Sequence, residues 1–128
     1  MVDLTLPARA SSVAPARHEV AALAEQLGFS ERRVDDLRTV VSEACMNAAV
    51  HAYEDLDGVF NVVAAPSEEG LSVTVSDRGN GIRPRPAFDS TSARLGLLLI
   101  AALASSVEIS SRREGGTRIH ICFGREPR

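Results

Sequence analysis

Glu43, Asn47 and His51 are three polar residues spaced four apart, and together they could do chemistry. On an α-helix that spacing drifts only about 80° around the axis, so the three share one face. The face is distinct from the apolar stripe of Val34, Leu37 and Val41. A carboxylate and an amide one turn apart can hold a hydrated Mg²⁺, which prefers oxygen ligands and keeps several waters. The carboxylate can also accept a proton. A solvated helix face has a similar composition. Here, however, Ala44, Ala48, Ala49 and Ala52 border the row with small residues, as at the floor of a pocket.

Two further groups have chemical potential. Asp77-Arg78-Gly79-Asn80-Gly81-Ile82 directly follows the alternating run Leu71, Val73, Val75. An Asp at a strand end can accept a hydrogen bond from an exocyclic amine such as the N6 group of adenine. Gly79 and Gly81 let the backbone come close to a ligand. An Asx-type glycine turn is the plainer reading of the same residues. Arg94-Leu95-Gly96-Leu97 opens an apolar segment. If that segment is a helix, its free N–H groups and dipole favour phosphate. Gly96 then permits close approach, and Arg94 can add charge-assisted hydrogen bonds. Gly115-Gly116-Thr117 is a weaker sign, since a Gly-Gly hairpin turn needs no ligand.

The elements that must position these groups follow from periodicity. Val2, Leu4 and Leu6 alternate as a strand that Pro7 ends. Val13, Ala16, Val20, Leu23, Ala24 and Leu27 recur at helical spacing from about Ser12 to Leu27, with Gly28 as the stop. Ser30 caps a second helix, expected from Glu31 to about Tyr53. Asp57-Gly58 and Ser67 to Gly70 read as turns, and the strands Val59 to Ala65 and Leu71 to Val75 follow them. Asp77 to Ser92 reads as loop. Leu95 to about Ser105 reads as a third helix, too apolar for a surface position. Val107–Ser111 and Thr117–Phe123 read as strands joined by Glu114-Gly115-Gly116. The order β, α, α, β, β, α, β, β predicts an α+β two-layer sandwich.

Composition narrows the function. The 128 residues are expected to form a single domain, 1–128. All 14 basic residues are Arg. That excludes a P-loop NTPase, an ordinary protein kinase with its strand Lys, and Schiff-base chemistry. A net charge of −3 and the absence of Trp argue against direct nucleic-acid binding. No apolar run approaches the ~20 residues of a membrane span, so no membrane partner is expected. The N-terminal residues lack the features of a signal peptide, which makes a cytoplasmic location the expectation. Cys45 and Cys122 stand in no metal-binding or disulfide pattern and are both expected in the core.

The segment Val41-Ser42-Glu43-Ala44-Cys45-Met46-Asn47-Ala48-Ala49-Val50-His51-Ala52-Tyr53 resembles the N-box helix of the GHKL (Bergerat-fold) ATPases. Asp77-Arg78-Gly79-Asn80-Gly81 resembles their G1 box. Arg94-Leu95-Gly96-Leu97 stands where the G2 box belongs, and Gly115-Gly116-Thr117 matches the last glycine-threonine element. Within that superfamily the chain most resembles the anti-sigma-factor serine kinases, also through Leu6-Pro7-Ala8 and Gly28-Phe29-Ser30. The resemblance runs from about Leu4 to Phe123.

The resemblance implies a two-layer sandwich with a mixed, mainly antiparallel sheet, and ATP and Mg²⁺ as cofactors. Glu43 would be the catalytic base. Asn47 would coordinate Mg²⁺. Asp77 would take the adenine amino group, with Gly79, Gly81 and Thr117 around the base. Arg94, Gly96 and Leu97 would lie at the phosphates, and Ile82 to Arg94 would form the ATP lid. His51 would line the phosphate side or pack at the helix end. The implied activity is a serine protein kinase that sequesters a sigma factor and phosphorylates an anti-anti-sigma (STAS-type) partner, acting as a homodimer. One departure is plain: Arg94 replaces the first Gly of the family's Gly-x-Gly. It either obstructs the phosphate path or grips the γ-phosphate. The alternative function is therefore a catalytically weak or inactive module that regulates a partner by binding alone.

Overall fold

The computed structural model describes residues 1–51, 58–78, 91–112 and 115–126, and of residues 50, 51 and 91–94 it describes the backbone alone. Among the described residues, five strands form one sheet: β1 (Val2–Pro7), β2 (Val59–Pro66), β3 (Gly70–Asp77), β4 (Ser106–Ser111) and β5 (Thr117–Gly124). Their spatial order is β1-β2-β3-β5-β4. Every described pairing is antiparallel, so the sheet is simpler than the expected mixed one. The described residues also form three α-helices: α1 (Val13–Gln26), α2 (Glu31–Met46) and α3 (Thr91–Leu103). A single 3-10 turn, Ala10–Ser12, leads into α1.

The strands alternate, so each contributes one apolar face. Phe60, Val62 and Ala64 of β2, Val73 and Val75 of β3, and Ile119, Ile121 and Phe123 of β5 are buried. Val20, Leu37, Val40, Val41, Ala44 and Ile100 of the helices complete the same core. α2 packs against both α1 and α3. The caps follow their local chemistry. Ser30 Oγ accepts the Arg33 N–H at 3.1 Å. Gly28 adopts φ +84° just past α1, a conformation that disfavours a side chain.

Arg33 is almost wholly buried at the lower end of the helical layer. Its Nε donates to Gly124 O at 2.8 Å and its Nη1 to Leu103 O at 2.8 Å. Nη1 also reaches Asp36 Oδ2 at 3.2 Å, and the guanidinium lies 3.7 Å from the Phe123 ring centroid. One side chain thus ties α2 to the ends of both α3 and β5.

Several expectations are corrected. The second helix does not continue as regular α-helix to Tyr53: α2 ends at Met46 and a π-helical turn covers Asn47–His51. Residues 52–57, with the expected Asp57-Gly58 turn, lie largely outside the described residues. α3 starts at Thr91, one turn earlier than expected. It is not a buried helix either, because Leu95, Leu98 and Leu99 are 60%, 66% and 38% exposed. Only its Gly96, Leu97, Ile100 and Leu103 side turns to the core. Cys45 is buried as expected, but Cys122 is not. With Ile121 and Phe123 facing inward, strand parity sends Cys122 to the opposite face. Among the described residues no helix is long and apolar enough to cross a membrane.

Candidate functional site

α2 and the π turn that follows it carry Glu43 and Asn47 toward the junction with α3. Asn47 is 5% exposed, and its Oδ1 is buried with no hydrogen-bond partner among the described residues. An unpaired buried acceptor costs about 1–3 kcal/mol. The π turn begins at this residue. Such turns break the regular hydrogen-bond ladder and often occur at functional sites.

Glu43 meets α3 at Gly96. A Cβ added to Gly96 would lie 2.6 Å from Glu43 Oε2 and 3.6 Å from its carboxyl carbon. Only a residue without a side chain lets the carboxylate rest there. Because α3 begins at Thr91, its unpaired first-turn N–H groups belong to residues 91–94. Gly96 and Leu97 lie inside the helix. Gly96 therefore does not open the helix; it packs against Glu43 from inside α3. Leu97 is half-buried against the core.

Asp77 ends β3 on its buried face and is only 4% exposed. Its Oδ1 accepts the Thr117 N–H at 3.3 Å, and Thr117 is itself buried. The adjacent Gly115 and Gly116 have φ +96° and +91°. A Cβ on Gly116 would fall 2.1 Å from Asp77 O and 2.5 Å from Arg78 C. Gly116 therefore lets the backbone entering β5 pass close against the end of β3. This is a stronger requirement than the hairpin turn read from sequence. Arg112 donates from Nη1 to Asp77 O at 3.2 Å and closes the same corner. Nothing in its local sequence marks Arg112. Beside this corner, Arg78, Arg112 and Arg118 help to line a cavity of about 330 Å³ that also reaches Asp77.

The fold thus brings Glu43 against Gly96, and Asp77 against Thr117. Asn47 lies one turn past Glu43. Gly79, Gly81 and Ile82–Ser90 of the expected lid lie outside the described residues, as do the side chains of His51 and Arg94.

Among the described residues no cluster of three or more His, Cys, Asp or Glu could hold a metal. A fully protein-built metal cage is therefore not what these residues form. The orphaned amide oxygen of Asn47 suits a different arrangement, in which one protein oxygen joins waters and ligand phosphates around Mg²⁺. The donor set fits that group.

Comparison with known proteins bears on the family and the fold. The model of the histidine kinase-like ATPase domain matches residues 6–123. The chain is 34% identical to an anti-sigma F factor of Heyndrickxia coagulans, over 94% of this chain and 89% of that protein. It is 30% identical to the serine-protein kinase RsbW of Bacillus cereus strain Q1, over 84% of this chain and 76% of that protein. Among solved structures, the blue-light activated histidine kinase of Erythrobacter litoralis EL346 superposes with a TM-score of 0.58 at 19% identity. That match covers 88% of this chain and 40% of the kinase, and shows the fold. With a domain model spanning nearly the whole chain and relatives at this identity, the chain belongs to the histidine kinase-like ATPase domain family, among the anti-sigma kinases.

Proposed function

We propose that this chain binds ATP with Mg²⁺ at the α2–β3 corner and transfers the γ-phosphoryl group to a serine of an anti-anti-sigma protein. In the same reading it holds a sigma factor inactive, acts as a homodimer and works in the cytoplasm. The observation that supports this best is the buried Oδ1 of Asn47, one turn past Glu43 and without a hydrogen-bond partner among the described residues. An oxygen ligand to a hydrated cation relieves the cost of that orphan. When bound, Mg²⁺ supplies neutralisation of phosphate charge.

Glu43, resting against Gly96, accepts the proton of the attacking serine hydroxyl. Asp77 accepts a hydrogen bond from the adenine amino group, with Gly79 and Gly81 beside the base. The Thr117 N–H donates to Asp77 Oδ1 and so orients its carboxylate. Thr117 then reaches the base through its hydroxyl. The free N–H groups of the first turn of α3 face the phosphates, together with Arg94. His51 completes the phosphate side. The names of the relatives supply the partners: anti-sigma F factor for the sigma factor, and serine-protein kinase for the phosphoryl acceptor. A phosphoryl group adds roughly −1.5 to −2 charge, enough to disrupt an interface without basic partners.

Isothermal titration with ATP and Mg²⁺ tests the binding half. The wild type should bind, Asp77→Asn should lose nucleotide, and Asn47→Ala should lose the Mg²⁺-dependent part. Transfer of label from [γ-³²P]ATP to a serine of an anti-anti-sigma protein tests the catalytic half, and Glu43→Ala should abolish it. Absence of nucleotide binding in the wild type refutes the proposal. Binding without any transfer refutes the kinase assignment alone.

A further inference from the structure

The face of the sheet away from the helices carries a nucleophile that the α2–β3 site does not use. Along β5, Thr117, Ile119, Ile121 and Phe123 are buried, while Arg118, His120 and Cys122 turn the other way. His120 and Cys122 therefore stand side by side, and Cys122 Sγ lies 3.8 Å from His120 Nε2. The other ring nitrogen, Nδ1, lies 2.8 Å from Thr74 Oγ1 on β3. Thr74 is the registered cross-strand neighbour of His120.

A thiol beside an imidazole that a third group orients is a recurring way to activate a cysteine. With the ring proton on Nδ1 and donated to Thr74, Nε2 keeps its lone pair toward the thiol. The surroundings permit the charge separation that proton transfer creates. Glu108 of β4 registers directly opposite His120. Arg118 precedes His120 on the same face of β5. The cross-strand neighbours of Cys122 are Ser72 on β3 and Ser106 on β4, which carry no charge. His120 also lines an open basin of about 600 Å³ with Asn61, Thr74, Ser76, Glu108 and Arg118. Cys45 is the internal contrast: it is fully buried, and burial pushes its thiol up to about 12.

We propose that Cys122 is a covalent modification site, where His120, positioned by Thr74, activates the thiol for exchange with a low-molecular-weight disulfide. The Cys122 thiol gives its proton to His120 Nε2. The thiolate attacks one sulfur of the disulfide, and a new S–S bond to Cys122 forms as the old S–S bond breaks. The departing thiolate takes the proton back from the imidazolium and leaves as a thiol. Cys122 is oxidised to a mixed disulfide, and one sulfur of the reagent is reduced. The site is independent of nucleotide and of the kinase reading.

The test is reaction of the full chain with oxidised glutathione and with Ellman's reagent between pH 5.5 and 9. It is followed by released thiol, intact mass and peptide mapping, on the wild type, Cys122→Ser, His120→Gln and Thr74→Val. One equivalent should add at Cys122 and none at Cys45 in the folded chain. His120→Gln should slow the reaction about tenfold at pH 6–7, the scale of a modest general-base contribution, and should change the shape of the pH profile. Thr74→Val should give a smaller loss with a displaced profile. Equal rates and profiles in the wild type and both variants overturn the proposal, as does a wild-type Cys122 that stays unmodified. If His120→Gln does not fold, the Thr74→Val profile decides by itself.

Discussion

The Glu43 carboxylate occupies the space that a side chain at position 96 would fill, since a Cβ on Gly96 would lie 2.6 Å from Glu43 Oε2. The group in the way is the far end of a flexible side chain, so the fold can yield to a methyl there while the carboxylate cannot stay. Gly96→Ala is therefore expected to separate activity from stability. Alanine inside α3 should raise helix stability by up to about 1 kcal/mol. With Glu43 as the proposed base, displacing its carboxylate by about 1 Å should reduce phosphoryl transfer roughly a hundredfold. A thermal melt beside a single-turnover transfer assay reads both effects. An unchanged transfer rate would dissociate Gly96 from the position of Glu43.

Gly116 presents the opposite case, because everything around it is backbone. With φ +91° and a Cβ that would fall 2.1 Å from Asp77 O, Gly116→Ala should destabilise the chain by about 2 kcal/mol or more. Gly28 has a similar φ of +84°, yet among the described residues its Cβ would meet only the Arg125 guanidinium, at 3.7 Å. Gly28→Ala should therefore show the dihedral cost alone, about 1–2 kcal/mol. Urea midpoints of the two variants separate close approach from left-handed strain.

Arg33 should be among the most costly polar residues to replace. Arg33→Met keeps much of the volume but leaves Gly124 O and Leu103 O without their 2.8 Å donors. The expected loss is about 3 kcal/mol. Lys cannot reproduce the planar fork over Phe123, so Arg33→Lys should recover less than half of it. Chemical denaturation of the three proteins checks this order.

Cys45 predicts an alkaline limit. Burial raises its thiol from 9.0 to about 12, so between those values the folded chain keeps a proton that the unfolded chain has released. Stability tied to this group is present below pH 9 and declines as pH rises toward 12, at up to about 1.4 kcal/mol per pH unit. Cys45→Ala should remove that slope. Denaturation midpoints at pH 8 and pH 10.5, compared between wild type and variant, measure the difference.

The chain's own pattern determined much of this architecture. The period-2 runs in β2, β3 and β5 and the spacing of Val20, Leu37 and Val41 are local consequences of burying one face, and they mark the elements directly. The Ser30 cap and the Gly28 stop are equally local. So are the chemical identities of Glu43, Asn47 and Asp77, which marked the candidate site before any geometry.

Contacts between segments distant in sequence decided the rest. Whether α2 stays regular past Met46 depends on packing around Asn47, which helical periodicity does not encode. α3 could appear buried because its residues are apolar all round, whereas layer geometry leaves Leu95 and Leu98 in solvent. Cys122 looked like a core residue by type, and only the sheet's parity turned it outward beside His120. Gly96 and Gly116 are legible as glycines. What each makes room for lies 53 and 39 residues away in the chain, at Glu43 and Asp77, and only the folded chain brings those atoms together.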